Sequence, residues 1–320
     1  MNLNILKLII YPMLIWMLSS CLTEQKPEDS SSLIDAGTAI VPTPTPYMIA
    51  GDLVVTNYSG DSAILLDLDG NFKELLYNVE NNQEQVIGVN WNASTSEVVL
   101  TINGYPDRVI GISATDGTQR TIIQNVQLNG NTFGIAVNSS GDFLAIESHQ
   151  VEKFDSNGNR VSNGDFPTGT LFNNLAQINP LAAGGFVTCG YGGDLVATYN
   201  AAAVQVNSKA SGIPATTNGY GCDELADGSI VASWEGTTDS IVVYNSTFAS
   251  TLASFNDSTI ISSPRGVEQK ANGNILVTDV GYHYIVELSY DSVAGSLSFV
   301  QNLGGGLLNY PWQIIEIPSY

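Results

Sequence analysis

The feature that most constrains the fold is a short apolar segment that recurs six times at nearly constant spacing. Each segment is rich in strand-forming residues, and five of the six open on a turn glycine. The segments are Gly51–Thr56, Ser96–Thr101, Gly141–Ile146, Gly184–Thr188, Gly228–Ser233 and Gly273–Thr278. They start 45, 45, 43, 44 and 45 residues apart. A repeat of this length made of short strands is typical of a β-propeller blade.

Each repeat contains more than one strand. A strand pattern precedes the recurring segment, as in Gly134–Val137 and Gly266–Gln269, and a second hairpin follows it. The turns of that hairpin include Asp69-Gly70, Asp116-Gly117 and Asn157-Gly158, which are strong hairpin signals between alternating apolar runs. Four strands per repeat are therefore expected, as in one propeller blade.

The two ends of the chain complement each other. Trp312–Ile317 matches the first strand of a repeat but has no second strand after it, whereas Gly51 opens a second strand with no first strand before it. Pairing the two completes a blade and leaves no unpaired edge. We therefore predict an all-β domain over residues 47–320, a six-bladed β-propeller of four-stranded blades closed by pairing of the N- and C-terminal strands.

The last repeat resembles an NHL repeat. Ser263–Val267 fits the Pro-x-Gly-hydrophobic part, and Asn272–Asp279 fits the Gly-Asn-hydrophobic-Val-x-Asp part. Tyr282 and Tyr284 stand where that family has Asn and Arg, which puts any ligand contact of that pair in doubt. The other repeats match only schematically. The resemblance implies the wider set of six-bladed propellers, including strictosidine-synthase-like and gluconolactonase-like proteins, and supports the fold more than any activity.

The beginning of the chain predicts export and a lipid anchor. Ile5–Leu18 is almost wholly apolar but shorter than the roughly 20 residues of a membrane span, so residues 1–20 fit a signal peptide. Leu18–Cys21 resembles the lipobox of bacterial lipoproteins, which implies cleavage before Cys21 and its lipidation, palmitate included. Residues 21–46 form a Ser-, Pro- and Thr-rich tether. No Asp follows the cysteine directly, so the resemblance favours the outer membrane, on its periplasmic or its surface side.

The net charge limits the classes of partner that the chain can bind, and the cysteines raise the question of a disulfide. The formal net charge of −21 repels phosphate backbones, so we expect no nucleic acid, and membrane contact only through the lipid. We expect a monomer. Cys189 and Cys222 remain outside the lipobox, either as a disulfide of an exported protein or as two buried thiols.

One face of the propeller is expected to hold the binding site. Loops that lead into the first strands and loops that leave the second strands meet there, and they carry aromatic rings, one arginine and both histidines. The predicted binding residues are Tyr220, Trp234, Arg265, Asp279, His283 and Trp312. Arg265 could pair with an anionic ligand or form a structural ion pair with Asp223 or Glu235. The tryptophans could stack on a ligand or simply pack.

Catalytic and cofactor motifs do not stand out. We expect no catalytic residue, no metal site and no cofactor, because neither histidine has a second ligand at metal spacing and the Asp-Gly pairs fall at hairpin turns. The prediction is a binding or scaffold module for a cell-envelope protein, peptide or glycan. The alternatives are a metal-dependent hydrolase or lactonase of the gluconolactonase type, with calcium, and a purely structural envelope component. Asn90, Asp223 and Glu268 are the first-strand residues that alternative could use, although its Glu-Gly-Pro motif is absent.

Overall fold

The structure is a computed structural model that describes residues 47–79, 84–104, 106–124, 128, 132–147, 150–161, 166–167, 174–191, 195–210 and 218–320. Thr45–Tyr320 forms one compact unit. The predicted signal peptide, the lipidated Cys21 and the tether lie outside the described residues. Within the described ranges, no helix is long and apolar enough to cross a membrane.

In the part of the chain that the structure describes, the regular structure consists of twenty-four strands and one short 3-10 turn, Tyr58–Gly60. In chain order the strands are β1 Leu53–Asn57, β2 Ser62–Leu66, β3 Phe72–Asn78, β4 Gln85–Asn92, β5 Glu97–Asn103, β6 Arg108–Ser113, β7 Gln119–Ile123, β8 Thr132–Val137, β9 Phe143–Glu147, β10 Gln150–Phe154, β11 Phe166–Pro167, β12 Asn174–Pro180, β13 Phe186–Tyr191, β14 Leu195–Tyr199, β15 Gln205–Ala210, β16 Asn218–Glu224, β17 Ile230–Glu235, β18 Ser240–Tyr244, β19 Thr251–Phe255, β20 Pro264–Gln269, β21 Ile275–Asp279, β22 Tyr284–Asp291, β23 Ser296–Leu303 and β24 Pro311–Glu316.

The strands form six antiparallel sheets of four strands, which confirms the predicted six-bladed propeller. Blade 1 has the order β24-β1-β2-β3, and blades 2 to 6 follow in chain order from β4–β7 to β20–β23. The C-terminal strand β24 pairs with β1, with Leu53 opposite Glu316 and Val55 opposite Ile314. The predicted closure by the two chain ends is therefore confirmed. Closure supplies the innermost strand of blade 1 and leaves the ring of blades without a break.

The core lies between neighbouring blades. The first strands β24, β4, β8, β12, β16 and β20 contact one another in a closed ring around a central channel. Strand β17 shows how each blade serves two interfaces: Val231 packs in a cluster with blade 6, whereas Ala232 packs in a cluster with blade 4. Both faces of the inner strands are buried, so these strands need apolar residues on both sides. This explains why the recurring segments are continuously apolar and do not alternate with polar residues.

At four of the six boundaries between blades, a hydroxyl at the end of the recurring segment joins one blade to the next. Its Oγ donates to a backbone carbonyl on the first strand of the following blade. The pairs are Thr56 to Ile87, Thr101 to Phe133, Ser233 to Arg265 and Thr278 to Trp312. The same oxygen accepts the backbone N–H of Gly88, Gly221 and Gln313 in three of the blades. This explains why most recurring segments end in Thr or Ser.

Two glutamines close the middle of the channel. Equivalent positions of the six first strands hold Gly88, Gly134, Gln177, Gly221, Gly266 and Gln313, so the glutamines belong to blades 4 and 1, which are opposite each other. The Gln313 amide donates to the Ala176 carbonyl and accepts from the Val89 N–H, both at 3.1 Å. Both side chains are buried, at 2% and 3% exposed. We call this pair the glutamine plug; along the first strands it lies between the residues of one mouth, such as Tyr220, and those of the other, such as Asp223.

Truncating one glutamine of the plug should destabilise the whole ring. The Gln177 amide donates to the Val267 carbonyl and accepts the N–H groups of Cys222 and Val267. Gln177→Ala leaves these three buried groups unpartnered, so we expect the free energy of unfolding to fall by about 3 kcal/mol in urea titrations. Gln205→Ala is the control, because Gln205 is partly exposed at the start of β15, the outermost strand of the same blade. Equal effects of the two substitutions would contradict a structural role of the plug.

Candidate ligand-binding face

A continuous path of aromatic rings crosses one mouth of the channel. Successive ring centroids along Phe133, Tyr191, Tyr220, Trp312, Tyr58 and Tyr310 are 6.4, 5.4, 5.8, 5.1 and 6.0 Å apart. All six side chains are partly exposed. Five of them lie on first strands or at the ends of second strands, as the sequence pattern indicated, whereas Tyr310 lies in the connection that leads into β24. We call this set the aromatic face.

Arg265 supports the aromatic face from below. Its guanidinium carbon lies 3.7 Å from the centroid of Tyr220 and 5.3 Å from that of Trp312. The guanidinium also pairs with Glu235 at 3.0 Å, and Arg265 is only 5% exposed. Of the two predicted roles, the structure shows the ion pair, with Glu235 and not with Asp223. A buried, paired and stacked arginine positions the rings above it.

Burial and local hydrogen bonds determine the protonation states of Glu235 and Tyr220 at this face. Burial alone would raise the pKa of Glu235, but hydrogen bonds from Arg265 and Ser263 outweigh it and hold that pKa below its usual value. Burial raises the pKa of Tyr220 to about 12, so its hydroxyl stays neutral at physiological pH. The face therefore presents neutral rings over an internally compensated ion pair.

Trp234 does not belong to this face, and the prediction that placed it there is wrong. Its side chain is fully buried in the cluster between blades 4 and 5, with Cys189 and Ala232. Side chains alternate along β17, so Ile230, Ala232 and Trp234 all point towards blade 4. Gly219 lies opposite Trp234 on β16, and its missing side chain leaves room for the indole.

Asp279 and His283 lie in the loop between β21 and β22. Asp279 is fully buried and accepts the backbone N–H groups of Ser262 and Tyr282, so it shapes the loop and does not face solvent. Its burial raises its pKa to about 6. His283 is exposed, adopts a left-handed backbone (φ +61°) and accepts the Tyr310 N–H through Nδ1. Its ring lies 6.3 Å from that of Tyr310 and extends the aromatic path.

The two tyrosines that replace the NHL-type Asn and Arg have a structural role. Tyr282 and Tyr284 stack at 5.6 Å between centroids. Their hydroxyls donate to the carbonyls of Ser258 and Ile260, at 2.8 and 2.7 Å. They therefore hold the connection between β19 and β20.

The cysteines of the domain lie in the core. Cys189 on β13 and Cys222 on β16 are free thiols, both fully buried in the same interblade cluster. Each sulfur lies about as close as the other to the Gln177 carbonyl, at 3.9 and 4.0 Å. The disulfide alternative stays a prediction, which peptide mapping under non-reducing conditions tests.

The opposite mouth of the channel is a second concave site, and it brings together Asn90, Asp223 and Glu268, the residues that the sequence offered for the gluconolactonase alternative. A cavity of about 360 Å³ lies beyond the glutamine plug, at the ends of the first strands. Asn90, Asn179, Asp223 and Glu268 line it. Burial raises the pKa of Asp223 to about 7, and burial together with the Asp223 charge raises that of Glu268 well above its usual range. Only the closed ring brings these side chains together, since they lie on four different blades.

Stability should rise as the pH falls through neutrality. Because the pKa of Asp223 is about 7 in the folded protein against an ordinary 3.8, the folded chain holds a proton that the unfolded chain has released between about pH 4 and pH 7. The free energy of unfolding should therefore decrease by up to ~3 kcal/mol from about pH 5 to about pH 8, at about 1.36 kcal/mol for each pH unit between about pH 5 and pH 7. Urea titrations at both pH values measure this. Asp223→Asn should flatten the dependence, and a steeper dependence in that variant would contradict the assignment.

Comparisons with known proteins show the fold. No protein-family profile matches the sequence, and no curated protein sequence matches it. Among solved structures, a chain of the nidogen/laminin complex superposes with a TM-score of 0.66 at 16% identity, over 82% of this chain and 97% of that chain. The virginiamycin B lyase of Staphylococcus aureus gives a TM-score of 0.60 at 15% identity, over 81% and 85%. The periplasmic gluconolactonase of Pseudomonas aeruginosa gives 0.58 at 11%, over 82% and 98%.

These similarities place the chain among six-bladed β-propellers. At such low identities they speak for the shared architecture alone, because one propeller fold hosts both binding proteins and enzymes.

Proposed function

We propose that this chain is a membrane-anchored lipoprotein whose propeller is a binding module, and that the aromatic face docks a protein or peptide partner in the cell envelope. The observation that carries the proposal is the unbroken path of partly exposed rings from Phe133 to Tyr310. Tyrosine and tryptophan dominate the energetics of protein interfaces because they bury a large apolar area and keep a polar tip. A path shared by four blades makes a contact surface wider than any single loop could.

The charge of the face selects the partner. Arg265 is paired with Glu235, so it offers no free cation to an anionic ligand. The whole chain carries a formal net charge of −21. An acidic partner would be repelled, and a neutral or basic segment would be attracted over the screening distance of about 8 Å. The partner surface is therefore proposed to be aromatic or apolar with a neutral or basic rim.

Structural neighbours agree with a binding role without specifying it. The superposed chain with a TM-score of 0.66 comes from a complex of two proteins, nidogen and laminin. A propeller of this architecture can therefore take part in a protein assembly.

Site-specific photo-crosslinking in cells tests the docking surface. A photoreactive amino acid at Tyr310 should give a discrete crosslinked product, since Tyr310 lies at the rim of the aromatic face. The same residue at Val293 is the control, because Val293 is 96% exposed on the β22–β23 turn, at the outer edge of blade 6. Trp312→Ala should abolish the product, because it removes the ring that contacts both Tyr58 and Tyr220. Identical products at Tyr310 and Val293, or products insensitive to Trp312→Ala, would refute the proposal. A glycan bound through Trp312 would show that the partner is not a protein or peptide.

The anchor has its own test. Cys21→Ser removes the sulfur that the lipobox pattern assigns to lipidation. We expect the variant to leave the membrane fraction and to lose incorporation of labelled palmitate. A chain that stays in the membrane fraction without its cysteine would contradict lipid anchoring, whatever the aromatic face binds.

A metal-dependent hydrolase of the gluconolactonase type is the second candidate. The observation in its favour is that Asn90, Asn179, Asp223 and Glu268 line one channel cavity. As they stand they do not fit calcium, which takes about six to eight oxygen ligands. Both Asp223 oxygens already accept backbone N–H groups, and within the described ranges no three His, Cys, Asp or Glu side chains converge as a metal-ligand group. Calcium-dependent hydrolysis of a lactone, lost in Glu268→Gln, would establish this candidate.

A further inference from the structure

The cavity at the second mouth of the channel is chemically unlike the aromatic face. It is walled off by the glutamine plug and lined by Asn90, Trp91, Asp223, Glu268 and Glu316, among others. Its carboxylates come from three neighbouring blades, and among the described residues no Lys, Arg or His side chain lines it. Its volume of about 360 Å³ falls in the range of small-molecule sites, about 300–1,000 Å³. It is a separate site from the face used in the proposed function.

Hydrogen-bond acceptors outnumber donors in this cavity. The Asn90 amide group donates to Asn179 Oδ1 at 3.2 Å, and the Asn179 amide group donates to the Cys222 carbonyl at 3.0 Å. These two hydrogen bonds fix the orientation of the Asn90 amide. Its Oδ1 then has no donor among the described residues, although Asn90 is only 7% exposed. Because this oxygen is accessible from the cavity, a bound ligand or water can supply the donor that the protein does not.

The two carboxylates add to this excess of acceptors. Asp223 accepts the backbone N–H groups of Glu224 and Gln269, at 2.9 and 3.2 Å. Burial and the nearby charges of Asp223 and Glu316 raise the pKa of Glu268, and the backbone N–H of Glu316 opposes this only in part. Two carboxylates in one poorly solvated cavity repel each other, and a bound positive charge would relieve that repulsion.

The remaining walls are apolar and aromatic. Trp91 is partly exposed and packs against Tyr320, with centroids 5.2 Å apart. Val137, Ile315 and Pro318 complete the lining. A bare metal ion would leave most of this volume unfilled, whereas an organic body could contact these side chains, and an indole face attracts a cation.

We propose that the second mouth binds a small organic ammonium ion, whose N–H groups donate to Asn90 Oδ1, Asp223 and Glu268 while its apolar body packs against Trp91. The ligand class follows from the lining: acceptors and negative charge at one end, an aromatic wall at the other. Binding here is independent of the aromatic face, because the glutamine plug lies between the two sites.

Calorimetric titration of the full chain with phenethylammonium chloride tests the proposal. Its neutral isostere 2-phenylethanol has the same body without the charge, and we expect it to bind at least about tenfold more weakly. Glu268→Gln and Asn90→Leu should each weaken ammonium binding by about tenfold or more. Asp69→Asn is the control, because Asp69 is an exposed carboxylate on the β2–β3 turn. Trp312→Ala should leave ammonium binding unchanged while it abolishes the crosslink at the aromatic face.

Three results would overturn the proposal. Equal binding of the ammonium and the alcohol would show that charge is not recognised. Equal weakening by Asp69→Asn and Glu268→Gln would show general attraction to an acidic protein. Tight calcium binding that is lost in Glu268→Gln, with no ammonium binding, would make the cavity a metal site. If a cavity variant fails to fold, carbodiimide labelling of the native chain decides: phenethylammonium should protect Glu268 but not Asp69, and equal labelling of Glu268 with and without it contradicts the proposal.

Discussion

Removal of residues 311–320 should abolish cooperative folding of the propeller. This truncation deletes β24, the innermost strand of blade 1, together with Gln313 of the plug. It also removes Ile314, Ile315 and Ile317, which are at most 4% exposed. Burial of three such side chains contributes about 4.5–9 kcal/mol, which is comparable with the whole stability of a typical domain, about 5–15 kcal/mol. Far-UV circular dichroism and urea titration of the shortened chain measure the loss.

A shorter truncation is the matched control. Deletion of Ser319 and Tyr320 leaves β24 intact and removes a half-exposed ring that packs on Trp91, together with the hydrogen bond from its hydroxyl to the Met48 carbonyl. We expect that variant to unfold cooperatively with a small loss of stability. If the chain that ends at Tyr310 unfolds with the same midpoint and cooperativity as the full chain, closure by the C-terminal strand is not what holds blade 1.

Trp234→Ala should be the most damaging of the single substitutions considered. The indole is fully buried between blades 4 and 5, so its removal leaves a large cavity in the cluster that contains Cys189 and Tyr244. Large-to-small substitutions of this kind cost about 3–5 kcal/mol. The measurement is the free energy of unfolding from urea titration, with the fold checked by circular dichroism.

Trp312→Ala is the comparison that separates structure from binding. Trp312 is partly exposed on the aromatic face, so we expect it to cost less than about 2 kcal/mol of stability but to eliminate the crosslink at Tyr310. The same substitution is thus expected to lower stability strongly at Trp234 and to abolish the crosslink with little loss of stability at Trp312. Equal stability losses would contradict the placement of Trp234 in the core and Trp312 on the face.

The glutamine plug gives the channel two unrelated ends. One end presents rings above a compensated ion pair, and the other presents acceptors and carboxylates with raised pKa values. Because Gln177 and Gln313 hold backbone groups of blades 2, 4, 5 and 6, the partition is part of the fold and not a movable gate. Ligands at the two ends can therefore be tested separately.

Much of the aromatic face could be predicted from the repeat alone. Once the six segments are aligned, Tyr220, Arg265 and Trp312 fall at equivalent positions of their blades, and Tyr58 and Tyr191 fall in equivalent loops. The pattern did not identify Tyr310, because it precedes β24 in the stretch that joins the last blade to the first. The pattern misplaced Trp234. Both faces of β17 are buried, so its residues are apolar on either side and their sequence does not show which neighbouring blade a side chain contacts.

The sequence by itself determined the architecture: the repeat length, the strand content of each unit and the complementary chain ends are local properties, and together they require six blades and their closure. The tertiary structure alone decided which side chains from different blades meet. Gln313 reaches across the channel to the Ala176 carbonyl, and Arg265 pairs with Glu235 and not with Asp223. Asn90, Asp223 and Glu268 converge at the second mouth. Such meetings depend on the curvature and register of the closed ring, which position residues far apart in the chain to within a few ångströms and leave no signature in their spacing.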